Sequence, residues 1–197
     1  MPSKYYAVKK GKKEGIFRTW DECKAAVNGY SGAQYKSFLT LEEAEAYIGT
    51  GDKKKLPKDP EVYAFVDGSF NIATGVYGYG GFVYYEGKKE YLQGSGNDAQ
   101  MASMRNVAGE VLGSMAAIQK AIELGLPSIV IYYDYAGIEM WANGEWKRNK
   151  EGTIAYYDFI QSVKDKIDIY FVKVKGHSGV EGNEEADRLA KQAVGII

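Results

Sequence analysis

Four acidic residues stand where a carboxylate has consequences. Asp67 closes the apolar run YAFVDGS, and Asp134 closes IVIYYDY. A charged carboxylate at the end of a buried strand costs on the order of several kcal/mol if it stays dry and unpaired. Strand ends facing a crevice are also where α/β sheets place their sites. Glu110 falls in the first turns of a long helical pattern, and Asp187 follows Gly-Asn-Glu-Glu-Ala in the second turn of another. Few Lys or Arg adjoin these acids in sequence, so four brought together would repel strongly. Two Mg²⁺ ions would relieve that repulsion, and two-metal sites of this kind cleave phosphodiesters by in-line displacement. Mg²⁺ prefers hard oxygen ligands, which makes carboxylates the right residue type. Taken singly, each acid would as readily sit on a solvated surface.

Other metal chemistry is excluded by count. His177 is the only histidine and Cys23 the only cysteine. A His-triad zinc site, a cysteine zinc finger and an intrachain disulfide are therefore impossible. One thiol fits a reducing compartment. No apolar run approaches the roughly 20 residues of a membrane span. Met1–Gly15 is polar and lysine-rich, so no secretory or mitochondrial leader is expected and the cytoplasm is the expected location. The 197 residues are 45% apolar and 26% charged, enough to build a core, and the net charge of −1 excludes a uniformly basic coat.

The elements that must carry the acids follow from periodicity. Val62–Asp67 is a nearly continuous apolar run, as expected of a buried central strand. Tyr77–Tyr85 and Lys89–Gly94 read as neighbouring strands joined at Glu86-Gly87-Lys88. Val107, Val111, Met115, Ile118 and Ile122 recur at helical spacing and predict a helix over 106–124 with Gly125 as its C-cap. Ser114, Ala117 and Ala121 follow Glu110 along a small-residue flank that would let this helix lie close to the sheet. Ile129–Tyr133 and Ile169–Val174 read as strands and Ile154–Lys166 as a helix. Asn183 is the expected cap of a last helix with the stripe Ala186, Leu189, Ala190, Ala193 and Val194. The order suits a mixed sheet with an antiparallel meander and helices on its faces.

The stretch 50–60, TGDKKKLPKDP, reads as a solvated basic linker. It parts the charge unevenly. Residues 1–60 hold 12 basic and 8 acidic side chains, and residues 61–197 hold 13 and 18. Ahead of the linker, residues 1–49 contain a small αβ module. Its expected strands are Tyr5–Val8, Gly15–Arg18 and Tyr35–Phe38. One helix spans Trp20–Val27, and a second is opened by a capping box of Thr40 and Glu43. A basic front module joined to an acidic body suggests that one part attracts a polyanion and the other holds something positive.

Residues 61–197 resemble the catalytic domain of type 1 ribonuclease H, which cuts the RNA strand of an RNA–DNA hybrid. The longest match is KGHSGVEGNEEADRLAK, Lys175–Lys191, which resembles the family's histidine loop running into its last helix. VDGS around Asp67, the helix glutamate Glu110 and YYD around Asp134 match the other family carboxylates in order and spacing. The resemblance implies an α/β fold, an RNase H-like five-stranded mixed sheet with helices on both faces. It implies Asp67, Glu110, Asp134 and Asp187 as ligands of two Mg²⁺ ions, with Mn²⁺ possible, and products ending in 5′-phosphate and 3′-hydroxyl. It implies His177 as a general acid/base in proton transfer or product release, with Glu181 as a companion. Gly68, Ser69 and Asn106 would read the RNA 2′-hydroxyl, although Asn106 could equally cap its helix. Where many members read Thr-Asn-Asn or Thr-Asn-Gln before the glutamate, this chain has Met104-Arg105-Asn106-Val107, and its basic handle after Asp134 is short.

Residues 4–48 resemble the hybrid-binding domain that precedes many such catalytic domains, through YYAVKKGKKEGIFRTWDEC and YKSF. The resemblance implies that Tyr6, Trp20 and Lys36 contact the DNA strand. Lys9 and Lys10 have the charge to neutralise phosphates. The expected partner is an RNA–DNA hybrid duplex, bound by a monomer with no membrane association and no small-molecule cofactor. Two other readings remain open at this stage. One is a hybrid reader with an inactive nuclease fold. The other is a DNA-acting integrase or junction nuclease on the same fold.

Overall fold

A computed structural model describes residues 4–48, 56–175 and 179–197. The chain separates into two compact units, with the main-chain break between Lys55 and Leu56.

The first unit is a three-stranded antiparallel sheet in the order β2-β1-β3, from β1 (Tyr5–Lys10), β2 (Gly15–Phe17) and β3 (Gln34–Phe38). Helix α1 (Trp20–Val27) begins in a full capping box. Glu22 N–H donates to Thr19 Oγ1, and the Glu22 carboxylate reaches back to the Thr19 N–H. Helix α2 (Leu41–Ile48) begins where Glu43 N–H donates to Thr40 Oγ1 at 3.2 Å. The two helices cover opposite faces. Val8 packs with Cys23, Ala26 and Val27 of α1, whereas Ala7 packs with Phe38 and with Ala44 of α2, as strand alternation requires.

The second unit is a five-stranded mixed sheet in the order β6-β5-β4-β7-β8. Strands β4 (Tyr63–Asn71), β5 (Val76–Tyr85) and β6 (Lys88–Gly96) form the antiparallel meander. Strands β7 (Ser128–Tyr133) and β8 (Asp168–Lys173) add in parallel. The helices are α3 (Ala99–Ala102), α4 (Asn106–Glu123), α5 (Gly137–Ala142), α6 (Glu151–Val163) and α7 (Glu181–Ala193). None of the described helices is long and apolar enough to cross a membrane.

Glycine contacts show which helix lies on which face. A Cβ on Gly68 would fall 2.0 Å from the Asn106 carbonyl oxygen of α4. A Cβ on Gly80, directly opposite Asp67 in the β4–β5 ladder, would fall 2.1 Å from the Ala190 nitrogen of α7. Residues 67 and 68 point to opposite faces, so α4 and α7 lie on opposite sides of the sheet. The α4 side holds the main core, with Val66, Ile118, Ile129, Ile131 and Tyr156 among its buried residues.

Three boundaries beside the carboxylates differ from the sequence reading, and the helix expected over Ile154–Lys166 begins and ends three residues earlier, at Glu151–Val163. Asp67 does not end its strand, because β4 stays paired with β5 through Asn71↔Val76. What ends near it is the parallel pairing with β7, whose last pair is Phe65↔Tyr132. Asn106 is not a cap either: the N-cap of α4 is Arg105, at φ 54°, with no side-chain capping bond. The cap of α7 is Val180, and Asn183 sits inside the first turn with its side chain buried.

Candidate active site

β4 and β7 part just beyond Phe65 and Tyr132, and the carboxylates gather where they part. Ligand oxygens of Asp67, Glu110 and Asp134 all lie within 4.8 Å of one another. Asp67 comes from β4 and Asp134 immediately follows β7. Glu110 is delivered by close helix–sheet approach. A Cβ on Gly109 would lie 1.9 Å from the Gly78 carbonyl oxygen and 2.8 Å from Gly68 Cα. Two facing glycines therefore let α4 rest on the sheet backbone beside Asp67. The flank expected to allow this, Ser114, Ala117 and Ala121, lies farther along the helix. Glycine inside a helix costs about 1 kcal/mol against alanine, and that cost was the available signal for Gly109.

The site's electrostatics follow from its burial. Glu110 is only 2% exposed. Burial, and then the charges of Asp134 and Asp67, push its carboxyl up to about 9, and a hydrogen bond from the Tyr135 backbone N–H only partly opposes them. Its Oε2 finds no hydrogen-bond partner among the described residues. Asp67 Oδ1 accepts from the Gly68 N–H at 2.7 Å. Three acids around one orphaned buried oxygen form the donor set that a hard divalent cation takes. These residues fit the metal that the sequence reading called for.

Asp187 is not one of these three. It lies on α7, one turn before Ala190, on the helix that covers the Asp67 face, and Lys191 Nζ donates to its carboxylate at 2.7 Å. His177 lies outside the described residues. Glu185 accepts from Lys89 at 2.6 Å and from the Tyr91 hydroxyl at 3.1 Å. That places it at the β6 side of the sheet. Asn106 and Glu110 lie one turn apart on α4, and both approach Gly68 through the backbone. Ser69 is buried in β4.

In the first unit, Tyr6 and Trp20 lie 5.8 Å apart and Trp20 and Tyr35 5.9 Å apart, centroid to centroid. Trp20 is 43% and Tyr35 45% exposed. Tyr35 was missed in the sequence. Its signal was the register: Tyr6 pairs with Ser37 and Val8 with Tyr35 across β1–β3, which sets Tyr6 and Tyr35 on the α1 face. Lys36 belongs to the other face, with Nζ 5.2 Å from the Phe38 ring centroid. Lys9 follows it there, 5.7 Å from the Tyr47 ring. Lys10 is exposed at the end of β1, past an irregularity in the ladder.

Comparison with known proteins bears on both units. The family model described as RNase H matches residues 59–195, and the one described as the ribonuclease H1 N-terminal domain matches residues 4–48. Ribonuclease H1 of Homo sapiens is 26% identical over 253 residues, covering 95% of this chain and 88% of the human one. Two solved structures share the fold. RNase H1 from the halophilic archaeon Halobacterium salinarum NRC-1 superposes with a TM-score of 0.56 at 21% identity, over 69% of this chain and 98% of its own. LC11-RNase H1 in complex with RNA/DNA hybrid superposes at 0.55 and 17% identity, over 68% and 96%. The strand order, the clustered acids and a family match running almost the whole length of the second unit agree, and the chain belongs to the ribonuclease H family as a ribonuclease H bearing the N-terminal domain of ribonuclease H1.

Proposed function

We propose that this ribonuclease H hydrolyses the RNA strand of RNA–DNA hybrids as an endonuclease. The observation that carries the reading is the convergence of Asp67, Glu110 and Asp134 around a buried, unpartnered Glu110 oxygen. Asp67, Glu110, Asp134 and Asp187 would hold two Mg²⁺ ions, with Mn²⁺ as the alternative. Such ions, when bound, would supply an activated water and stabilise the leaving 3′ oxygen, giving products that end in 5′-phosphate and 3′-hydroxyl. The protein's own part is to hold the acids on rigid elements and to present backbone groups to the RNA. Gly68 and Ser69 on β4, with Asn106 one turn from Glu110, are the groups placed to bond a 2′-hydroxyl and so to separate RNA from DNA. His177, which precedes α7 in the sequence, acts as a general acid/base in proton transfer or product release.

The first unit serves as the hybrid-binding module, residues 1–49, tied by the basic linker 50–60 to the catalytic domain 61–197. Its exposed Trp20 and Tyr35, with the half-buried Tyr6 beside Trp20, offer flat faces to the DNA strand, and Lys9, Lys10 and Lys36 offer charge to its phosphates. Tethering raises the effective concentration of hybrid at the catalytic domain. The chain works as a monomer in the cytoplasm. The deciding assay compares end-labelled RNA–DNA hybrid, double-stranded RNA and double-stranded DNA, each with Mg²⁺ and with EDTA, and maps the product ends. Cleavage confined to the RNA strand of the hybrid and abolished by EDTA is expected. Cutting of the DNA duplex, or hybrid binding without cleavage, would refute the reading.

A further inference from the structure

Asp134 leaves β7 in a turn that is pinned at both ends. On the strand side, the Val174 N–H donates to the Tyr133 carbonyl at 2.8 Å, and the Tyr133 ring packs edge-on against Phe171. On the helix side, the Ile138 N–H donates to the Tyr135 carbonyl at 3.1 Å, and Ile138 is fully buried. One side-chain bond spans the gap: the Tyr133 hydroxyl donates to Glu139 Oε2 at 2.5 Å. Tyr133 is 1% exposed, and a buried phenol must find a partner for its hydroxyl. A phenylalanine would fill the same space against Phe171. The hydroxyl is therefore explained by Glu139 alone.

The turn so closed delivers the Asp134 carboxylate to the acid cluster, beside Glu110 and Asp67. Side chains alternate along a strand. Tyr133 faces the core with Ile131 and cannot touch a bound cation, so anything it contributes passes through the turn. We propose that Tyr133 and Glu139 are positioning residues: their hydrogen bond holds the Asp134 turn so that Asp134 and Glu110 share one cation-binding geometry. Outer groups that orient metal ligands typically matter by 10- to 100-fold in metal affinity. The inference rests on the metal-site reading of the cluster given above.

The test is calorimetric titration of the full chain, without nucleic acid, using Mn²⁺ alone and then Mg²⁺ alone. It is paired with hybrid-cleavage kinetics over a range of Mg²⁺ concentrations. Tyr133→Phe is expected to weaken cation binding about tenfold. It should raise the Mg²⁺ concentration for half-maximal cleavage in step and leave the KM for hybrid unchanged. Glu139→Ala should match it, and the double variant should be no worse than either single one, because both remove the same bond. Glu139→Gln keeps an acceptor oxygen and should restore binding close to the parent value. If Tyr133→Phe lowers only the melting temperature while cation affinity and Mg²⁺ requirement stay at the parent values, the bond is merely structural and the proposal is overturned. If the parent chain binds neither cation, the metal-site reading falls first and takes this inference with it.

Discussion

Replacing Glu110 by glutamine tests the strain that the clustered acids impose on the metal-free protein. Burial and the neighbouring Asp134 and Asp67 charges lift the Glu110 carboxyl from 4.5 to about 9 in the folded chain. Its folded value lies above its unfolded one, so its stabilising contribution is complete below pH 4.5 and is lost as the pH rises towards 9. Between those limits the unfolded chain gives up the proton that the native chain keeps, and stability falls by about 1.4 kcal/mol per pH unit. At pH 7 the loss amounts to about 3 kcal/mol. For a chain of this size that corresponds to about 6–12 °C in melting temperature. Glu110→Gln is nearly isosteric and has no proton to lose. In EDTA the variant should therefore melt higher than the parent at pH 7 to 8, match it near pH 4.5, and show a flatter dependence between. Excess Mg²⁺ should reverse the order, raising the parent more than the variant, because a cation relieves the same repulsion that protonation does. The assay is scanning calorimetry of the full chain from pH 4.5 to 9, following the transition that also exposes the buried Trp141. A Glu110→Gln variant that keeps the parent's slope in EDTA would refute the argument, since the proton uptake would then belong to another group.

The remaining expectations concern single features. Gly109→Ala would drive a Cβ to within 1.9 Å of the Gly78 carbonyl oxygen; it should lower the melting temperature and, by lifting Glu110 off the sheet, remove most hybrid cleavage, measured by calorimetry and steady-state kinetics. Asp134→Asn should leave the fold and hybrid binding largely intact while removing nearly all turnover, checked by gel shift and single-turnover cleavage. Trp20→Ala combined with Lys36→Ala or with Tyr35→Ala should weaken hybrid binding and processivity but spare cleavage of saturating hybrid, and loss of that cleavage in a folded double variant would break the division of labour. Ser114 and Tyr156 share a buried hydroxyl pair at 3.0 Å. Tyr156→Phe alone should cost about 1–2 kcal/mol in urea unfolding by stranding Ser114, while adding Ser114→Ala should recover part of that loss.

Where sequence and structure part, the cause is the same each time: a pattern along the chain shows what is buried but not what is opposite. The run YAFVD located β4 because hydrophobic continuity marks a strand buried on both faces. It could not show that β4 continues through GSFN, since those residues are held by pairing with β5 and not by their own apolar character. The long helix was legible from its stripe. Its contact with the sheet was not, because the residue that sets it, Gly109, contributes nothing to hydrophobic periodicity, and its role depends on Gly68 and Gly78 across the gap. Lys36 and Trp20 read as one surface in a linear motif. The β1–β3 register puts Lys36 on one face and Tyr35, its neighbour in sequence, on the other with Trp20.

The carboxylates were the most legible part of the site, and the physical reason is energetic. A fold can hide a leucine in many places, but an acid ending a buried run must be answered by another group. In this chain the answer is incomplete within the protein: Glu110 keeps one oxygen without a partner among the described residues and is driven to hold a proton at neutral pH. Asp187, which has a lysine one turn away, is answered locally and is not one of the three acids within 4.8 Å of one another. That contrast separates Glu110 from Asp187. The cluster is held by rigid placement: Gly109 against the sheet for Glu110, the β4–β5 ladder for Asp67, and the pinned turn for Asp134. Loosening any one of the three should relax the metal-free protein and weaken its hold on a cation together, since both follow from the same forced proximity of charge.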